Sequence, residues 1–347
     1  MATIKDVAKK AGVSIAVVSK AFNNYPDISE KTRQRIFEIA KELDYSPNVV
    51  AKNLSSKKQR TIGLISSGVF NQNEKDTNAY DVFKGVYKAV EENEYEFSVY
   101  LIDSQKQRQK SYAQFCSERN IGGAILQGIR TDDPYFQELM NTNIPVVYVD
   151  ILKDDYNKLI GSVSINNAKA SKDIACYLLE QNHRNIVIMA GTEETYVNMD
   201  RMKGVKEAFY QYSLTIQEED ILHGDFSEDK AYALAKHYLA EKCPTAFLCF
   251  SDLMAYGVMR AVKEAGLRIP EDVSVTGFDN LVFSSYTEPK LTTVHQDFVE
   301  IGRQSALLVQ NLMENKLDSQ HVFVPYQIVK RETVGEAKRE GQLNRNE

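Results

Sequence analysis

From Thr61 to Thr276, short apolar runs alternate with segments of helical periodicity, and that alternation restricts the fold more tightly than any other feature of the 347-residue chain. Runs at 62–65, 97–101, 123–126 and 145–149 are too short for helices and rich in Ile, Val and Leu, so they read as strands buried on both faces. Between them, apolar residues in 80–92, 107–119 and 135–140 recur at the spacing of one helix face. A second series follows, with strands expected at 161–165, 185–189, 246–250 and 273–276 and helices near 168–181, 202–212, 230–240 and 253–265. Strands joined by helical crossovers run parallel. Two consecutive series therefore predict an α/β body of two doubly wound parallel-sheet lobes. Such sheets bind ligands beyond the carboxyl ends of their strands, which places a cleft between the lobes. Residues 291–296, a helix over 298–314 and the run 322–329 would return the chain through both lobes as a three-crossover hinge. The polar residues 335–347 are expected to be disordered.

The first 60 residues follow different rules. They hold 12 Lys and Arg against 6 Asp and Glu, a net +6, whereas the remainder carries −12, so the overall −6 hides a basic head on an acidic body. A head of that kind suits an acidic partner. Thr3 and Asp6 form a capping-box-like start, Ile4, Val7, Ala8 and Ala11 share one helix face, and Gly12 suits the left-handed turn that ends it. Ser14 can cap a second short helix with Val18 and Phe22 inward, and Ser29 a third with Ile36, Ile39, Ala40 and Leu43 inward. Two short helices across such a turn make an all-α helix-turn-helix head. Its second helix would turn Ile15, Ala16, Ser19 and Lys20 outward, with Lys20 able to donate to guanine edges and Ser19 to meet a phosphate. Thr3, Asn23, Thr32, Tyr45 and Asn48 are further candidates for DNA contact. The segment from Pro47 to Leu54 can start a helix, but about two turns are unstable alone, so something else must order it.

Chemistry of other kinds finds no support. Cys116, Cys176, Cys243 and Cys249 include no C-x-x-C pair and read as thiols of a reducing compartment. The five histidines, His183, His223, His237, His295 and His321, lack metal-ligand spacing, and His183 reads as a helix C-terminal residue. Neither G-x-G-x-x-G, a Walker loop nor a G-x-S-x-G elbow occurs, so no cofactor, no metal and no enzymatic activity is expected. With no apolar run of signal-peptide or membrane-helix length, the chain is expected in the cytoplasm, away from membranes.

Three stretches carry a resemblance: Thr3 through Ser14, then Val18-Ser19-Lys20-Ala21-Phe22-Asn23, then Ser46-Pro47-Asn48-Val49-Val50-Ala51-Lys52-Asn53-Leu54. Together they resemble the DNA-binding head of the LacI/GalR (lactose-repressor) family of bacterial transcription regulators. The body resembles the same family through Val334 in Asp200-Arg201-Met202-Lys203-Gly204, in 251–257, in 269–275 and in Gly277-Phe278-Asp279-Asn280, an effector domain similar to periplasmic sugar-binding proteins. The resemblance implies domains at 1–46 (helix-turn-helix), 47–60 (hinge helix and linker) and 61–334 (effector binding and dimerisation), with a tail at 335–347. It implies paired hinge helices in the minor groove, with Leu54 wedged between base pairs and Lys52 beside it. It further implies that Asp150, Arg201, Ser251 and Asp279 hold a small effector. Arg201 would donate as a fork and the carboxylates accept from vicinal hydroxyls, chemistry suited to a sugar or sugar derivative.

Two departures stand out. Val17 and Lys20 occupy positions where the family usually carries Thr and Arg, which removes a phosphate contact and the bidentate fork. The stretch Phe70 to Tyr80 is about five residues longer than the family's aromatic loop and lacks its proline; Tyr80 or Phe70 could supply the missing aromatic wall. The function expected is a repressor of carbohydrate-use genes, a homodimer or tetramer on a near-palindromic operator. Two alternatives stay open: the same regulator working with a corepressor, either a phosphocarrier protein or a nucleobase, and a cytoplasmic sugar-binding receptor with no genetic role.

Overall fold

The computed structural model describes residues 2–23, 25–46, 60–67, 77–93, 95–152, 157–316 and 319–337, with the backbone alone at Met140. The chain divides into two compact units, Met1–Arg60 and Thr61–Glu347.

In the first unit, α1 (Ile4–Ala11), α2 (Ile15–Phe22) and α3 (Glu30–Glu42) close around Val7, Ala8, Ala11, Val18, Ala21, Ile36 and Ala40. Gly12 ends α1 at φ 64°, a conformation that a Cβ would strain, and the small Ala8 of α1 is buried in the core that the three helices share. Ser14 and Ser29 cap the next two helices by accepting from Val17 N and Thr32 N at 3.3 Å each. The start of α1 is the capping box expected of Thr3 and Asp6: the Thr3 amide donates to the Asp6 carboxylate at 2.8 Å, and the Thr3 hydroxyl donates to it at 2.7 Å. Asp6 thus serves as the acceptor for both groups.

The second unit holds two parallel sheets and a two-stranded ribbon. Its chain order begins β1 (Thr61–Ser67), α4 (Asn78–Glu92), β2 (Glu96–Ile102), α5 (Ser104–Gln107), α6 (Tyr112–Glu118), β3 (Ile121–Gln127), α7 (Pro134–Glu138), β4 (Val146–Val149) and β5 (Ile160–Ser164). It continues with α8 (Asn167–Glu180), β6 (Ile186–Ala190), α9 (Tyr196–Gln211), β7 (Ile221–His223), α10 (Glu228–Glu241), β8 (Ala246–Cys249), α11 (Asp252–Glu264) and β9 (Ser274–Thr276). Last come β10 (Thr293–Gln296), α12 (Phe298–Met313), β11 (His321–Phe323) and β12 (Tyr326–Val329). The first sheet runs β11-β5-β4-β3-β1-β2 and the second β7-β6-β8-β9.

This order corrects the lobe membership expected for 161–165. That strand opens no second series; it pairs with β4, Val147 beside Gly161, and completes the first sheet. The chain crosses between lobes just after it. The first turns of α8 bury Ala170 and Ile174 in the first lobe, while Ala175, Leu178 and Leu179 enter the second lobe's core. The run 322–329 also divides: β11 joins the edge of the first sheet beside β5, and β12 pairs antiparallel with β10. The helix after β10 belongs to the first lobe, packed against α4. The stretch 107–119 is likewise broken at Arg108–Lys110, since Ser111 caps a new helix there. Gly335–Ala337 is tied down, with Gly335 O accepting from the His183 ring at 3.0 Å and Ala337 N donating to Gln181 O at 2.8 Å. Burial lowers the affinity of that imidazole for a proton. Among the described residues, no helix is long and apolar enough to cross a membrane.

Candidate functional site

In the head, Ile15 and Ala16 are exposed on α2, with Ser19 and Lys20 half-buried beside them. The Lys20 ammonium is held by the Asp27 carboxylate, which raises the lysine pKa and lowers the aspartate's. Both side chains are largely in water, so solvent and salt can replace the pair readily. Asn23 donates from Nδ2 to Ser19 O at 2.9 Å, and the Thr32 hydroxyl lies 2.8 Å from Ser29 Oγ. Tyr45 packs edge-on to Phe22 with 5.9 Å between ring centroids. Exposed or half-buried side chains with short local partners make a surface that can exchange those partners for phosphates. Asn48, Lys52 and Leu54 lie outside the described residues, as does Phe70.

In the second unit the carboxyl ends of β1, β3, β4, β6, β8 and β9 meet around a cavity of about 560 Å³. Its size is that of a small-molecule site. A continuous polar chain crosses its floor. Ser164 Oγ donates to Asp150 Oδ1 at 2.7 Å, Asn167 Nδ2 to Ser164 Oγ at 3.1 Å, and Arg201 Nε to Asn167 Oδ1 at 2.9 Å. Arg201 Nη2 then reaches Asp279 Oδ1 at 3.5 Å, and Gln296 Nε2 donates to the same oxygen at 2.7 Å. The remaining Arg201 nitrogen donates to the Phe250 carbonyl, and the guanidinium carbon sits 3.7 Å from the centre of the Phe278 ring. Asp150, Arg201 and Asp279, far apart in sequence, are thus brought into one network. Burial pushes the Asp150 carboxyl up, against the Ser164 hydrogen bond and the charge of Arg201, and pushes the Arg201 guanidinium down, against the charges of Asp279 and Asp150.

Ser251 also lines the cavity, with its hydroxyl accepting from Met254 N at 3.2 Å as the cap of α11. Tyr80 does not line it. The ring is 62% exposed, stacked on Phe83 at 6.1 Å with Lys84 Nζ 5.0 Å from its centre. Among the described residues the aromatic walls are Tyr196, Phe226 and Phe298. Phe226 follows β7, and both it and Asp225 are left-handed, at φ 57° and 52°. This turn lays the ring over Gly191, where a Cβ would come within 2.0 Å of it. The pairing of Gly191 with Phe226 leaves no mark in sequence, since the two are joined only by the alignment of β6 with β7.

Across the mouth, Thr131 N and Thr131 Oγ1 both donate to Glu194 O at 3.0 Å, and Arg130 Nη2 lies 3.4 Å from Glu194 Oε2. Beneath the rim, Asp252 is fully buried on α11. Its carboxylate accepts from Leu281 N at 2.7 Å, from Thr293 Oγ1 at 2.6 Å and from Ser284 Oγ. Burial lifts its pKa to about 6 against those hydrogen bonds. The cysteines stand apart from the cavity; burial pushes the Cys116 thiol up to about 12 and that of Cys249 well above its ordinary value. Among the described residues no group of three or more His, Cys, Asp or Glu is placed to hold a metal ion.

Two domain families match the chain: bacterial regulatory proteins, lacI family, over residues 3–48, and periplasmic binding protein-like domain over 175–334. A probable HTH-type transcriptional repressor ExuR of Bacillus subtilis (strain 168) is 34% identical over 322 residues, 92% of this chain and 94% of that protein. An HTH-type transcriptional repressor PurR of Proteus mirabilis (strain HI4320) is 33% identical over 346 residues, 97% of this chain and 98% of that protein. Among solved structures, the lac repressor dimer bound to operator and an anti-inducer superposes with a TM-score of 0.84 at 25% identity, covering 96% of this chain and 99% of that one. A complex of the transcriptional regulator CelR with cellobiose gives a TM-score of 0.73 at 25% identity, covering 96% and 100%.

Proposed function

The chain belongs to the lacI family of bacterial regulatory proteins, and from that premise we propose a working cycle for it. It is a DNA-binding transcription regulator of the repressor type, acting as a dimer on operator DNA and answering to a small-molecule effector. Residues 1–46 read the operator, 47–60 form the hinge, and 61–334 bind effector and dimerise. On the head, Ile15, Ala16, Ser19 and Lys20 approach base edges, while Thr3, Asn23, Thr32, Tyr45 and Asn48 position the phosphates. Leu54, flanked by Lys52, acts as the minor-groove wedge. In the second unit, the exposed apolar side chains Tyr87, Val99 and Leu101, with Val282, Phe283 and Tyr286, supply surface for the partner copy.

The observation that carries the effector site is the network joining Asp150, Arg201 and Asp279 across the cavity floor. It links the first lobe, the second lobe and the crossover strand β10 through Gln296, so a ligand bound there changes the relation of the lobes. Coupling of that kind, about 1–3 kcal/mol where it is typical, shifts operator affinity reciprocally with effector affinity. A sugar or sugar derivative is the effector class that this mixture of one fork donor and two carboxylates suits. The work is regulatory, carried out without catalysis, and takes place in the cytoplasm.

A gel-shift screen of the full chain against fragments of its own genome tests this reading. The expected result is retention of fragments that share a near-palindrome, and weakening by at least about tenfold on Leu54→Ala. No retained fragment, or unaltered binding by Leu54→Ala, would contradict it.

A further inference from the structure

The solvent side of α9 departs from the pattern of a surface helix. Its inner side buries Val205, Ala208 and Phe209 in the core of the second lobe, which already supplies the one apolar stripe that such packing needs. A second stripe faces outward. Met199, 44% exposed, the half-buried Met202 and Tyr210, 86% exposed, fall with Lys203 and Lys206 within about 100° of one another around the helix axis. Together with Glu193 and Glu207 they line a groove of about 730 Å³.

This groove is separate from the second-lobe surface assigned to the partner copy. Right-handed crossovers put a helix on one or the other face of a sheet according to the direction in which it steps between strands. In the sheet β7-β6-β8-β9, α9 leads from β6 to β7, whereas α10 and α11 step the other way, so α9 lies on the opposite face from both. Val282, Phe283 and Tyr286 belong with α11, where Ser284 Oγ lies 2.8 Å from Tyr256 Oη.

Charge gives the groove a preference. Glu207 is 3.9 Å from Lys172 Nζ and Glu193 is 3.2 Å from His223 Nε2. Lys203 and Lys206, both exposed, have no carboxylate within ion-pair distance among the described residues. The half-buried Asp200 gives Lys203 only a longer-range attraction. Two unmatched ammonium groups beside thioether and ring surface complement carboxylates that flank an apolar ridge. The backbone of an occupant is constrained as well. The amides and carbonyls of α9 are bonded within the helix and offer no edge for a strand, so an occupant must satisfy its own backbone, as a helix does. From Met199 to Tyr210 the stripe runs about 16 Å, three helical turns, and its flexible methionines can repack around a ridge.

We infer that the outer face of α9 docks an acidic amphipathic helix of another protein, with Met199, Met202 and Tyr210 receiving its apolar ridge and Lys203 and Lys206 its carboxylates.

Fluorescence anisotropy of labelled helical peptides about fourteen residues long, titrated with the full chain, tests it. The acidic probe carries Leu along one face and Glu on both flanks; one control replaces each Glu by Lys, and the other replaces each Leu by Ser. The acidic probe should bind at least about tenfold more tightly than either control. Met199→Ser, and the double variant Lys203→Glu with Lys206→Glu, should keep the melting temperature of the parent and weaken the acidic probe by about tenfold. The charge-reversed chain should in turn prefer the Lys control. Equal or absent binding of the acidic and Lys probes, or indifference to the charge reversal, overturns the inference. Displacement of the acidic probe by a peptide of residues 338–347 assigns the groove to the chain's own end, and displacement by random duplex DNA assigns it to nucleic acid. Self-association that Tyr210→Ser abolishes assigns it to a second copy, and each of these three results overturns the inference.

Discussion

The exposed carboxylates of the head and the buried carboxylates of the second unit move in opposite directions. In the head, Asp6 and Asp27 are held below their usual range by exposed partners, Thr3 and Lys20. In the second unit, Asp150, Asp200 and Asp252 are all pushed up by burial. The head therefore keeps its charges in water, paired with neighbours that a phosphate can displace. The cleft of the second unit keeps its charges out of water and bound to fixed partners, so its interactions are specific in geometry and hard to rearrange. One unit is built to attach by charge and the other to recognise by shape and hydrogen bonding, and experiments that separate salt from geometry should separate the two.

The largest effect should come from Arg201→Ala. It leaves the Asp279 carboxylate, 7% exposed, without its cation, so unfolding in urea should show a loss of about 3–5 kcal/mol. A loss below about 1 kcal/mol would mean that the floor of the cleft is as exchangeable as the head. Next comes salt. Operator affinity should fall by about a thousandfold between about 50 and 200 mM salt if several phosphates are neutralised, while affinity for a neutral cleft ligand should stay within about twofold. Equal salt slopes would erase the distinction.

Much of this contrast was legible in sequence and some was not. The head was readable because its information is local: Gly12 supplies a left-handed turn, Ser14 and Ser29 supply caps, and the inward residues repeat at helical spacing. Strand positions in the body were readable for the same reason. Periodicity names an element, though, and not its neighbours, so by itself it misplaces β5 in the second lobe. The three-residue β7 is only half-buried and escapes the pattern, and with it the left-handed turn that places Phe226 on the cavity wall, where Tyr80 or Phe70 is expected. The start of the tail looked disordered from composition, yet Gly335 and Ala337 are anchored through backbone atoms, which composition does not report.

The buried carboxyl of Asp252 gives a smaller, signed effect. Its folded-state pKa of about 6 lies above the ordinary 3.8, so the folded chain binds the proton more tightly than the unfolded one. That contribution is complete below the unfolded value and is lost as pH rises through about 6. On going from pH 7 to pH 5 the parent chain should gain about 1 kcal/mol relative to Asp252→Asn. The burial-lowered imidazole of His183 opposes this, since it destabilises the fold as pH falls; because both chains carry it, the difference between them isolates Asp252. A difference that does not change with pH would show Asp252 to titrate as an exposed carboxylate.

Smallest on folding should be Lys20→Ala, which removes an exposed pair and should leave the melting curve unchanged. Operator affinity should nevertheless fall by about tenfold, as for one lost base contact. A change in stability without a change in binding would assign Lys20 to the fold of the head.

Under the proposed function, the buried network of the cleft governs the exposed surface of the head. Fluorescence anisotropy of a labelled operator, titrated with the full chain with and without a saturating neutral cleft ligand, measures that link directly. The ligand should change operator affinity by about tenfold in the parent chain, in either direction, and leave it unchanged in Arg201→Lys, which keeps the charge and loses the fork. Operator affinity indifferent to bound ligand in the parent chain, or a response undiminished in Arg201→Lys, would contradict it.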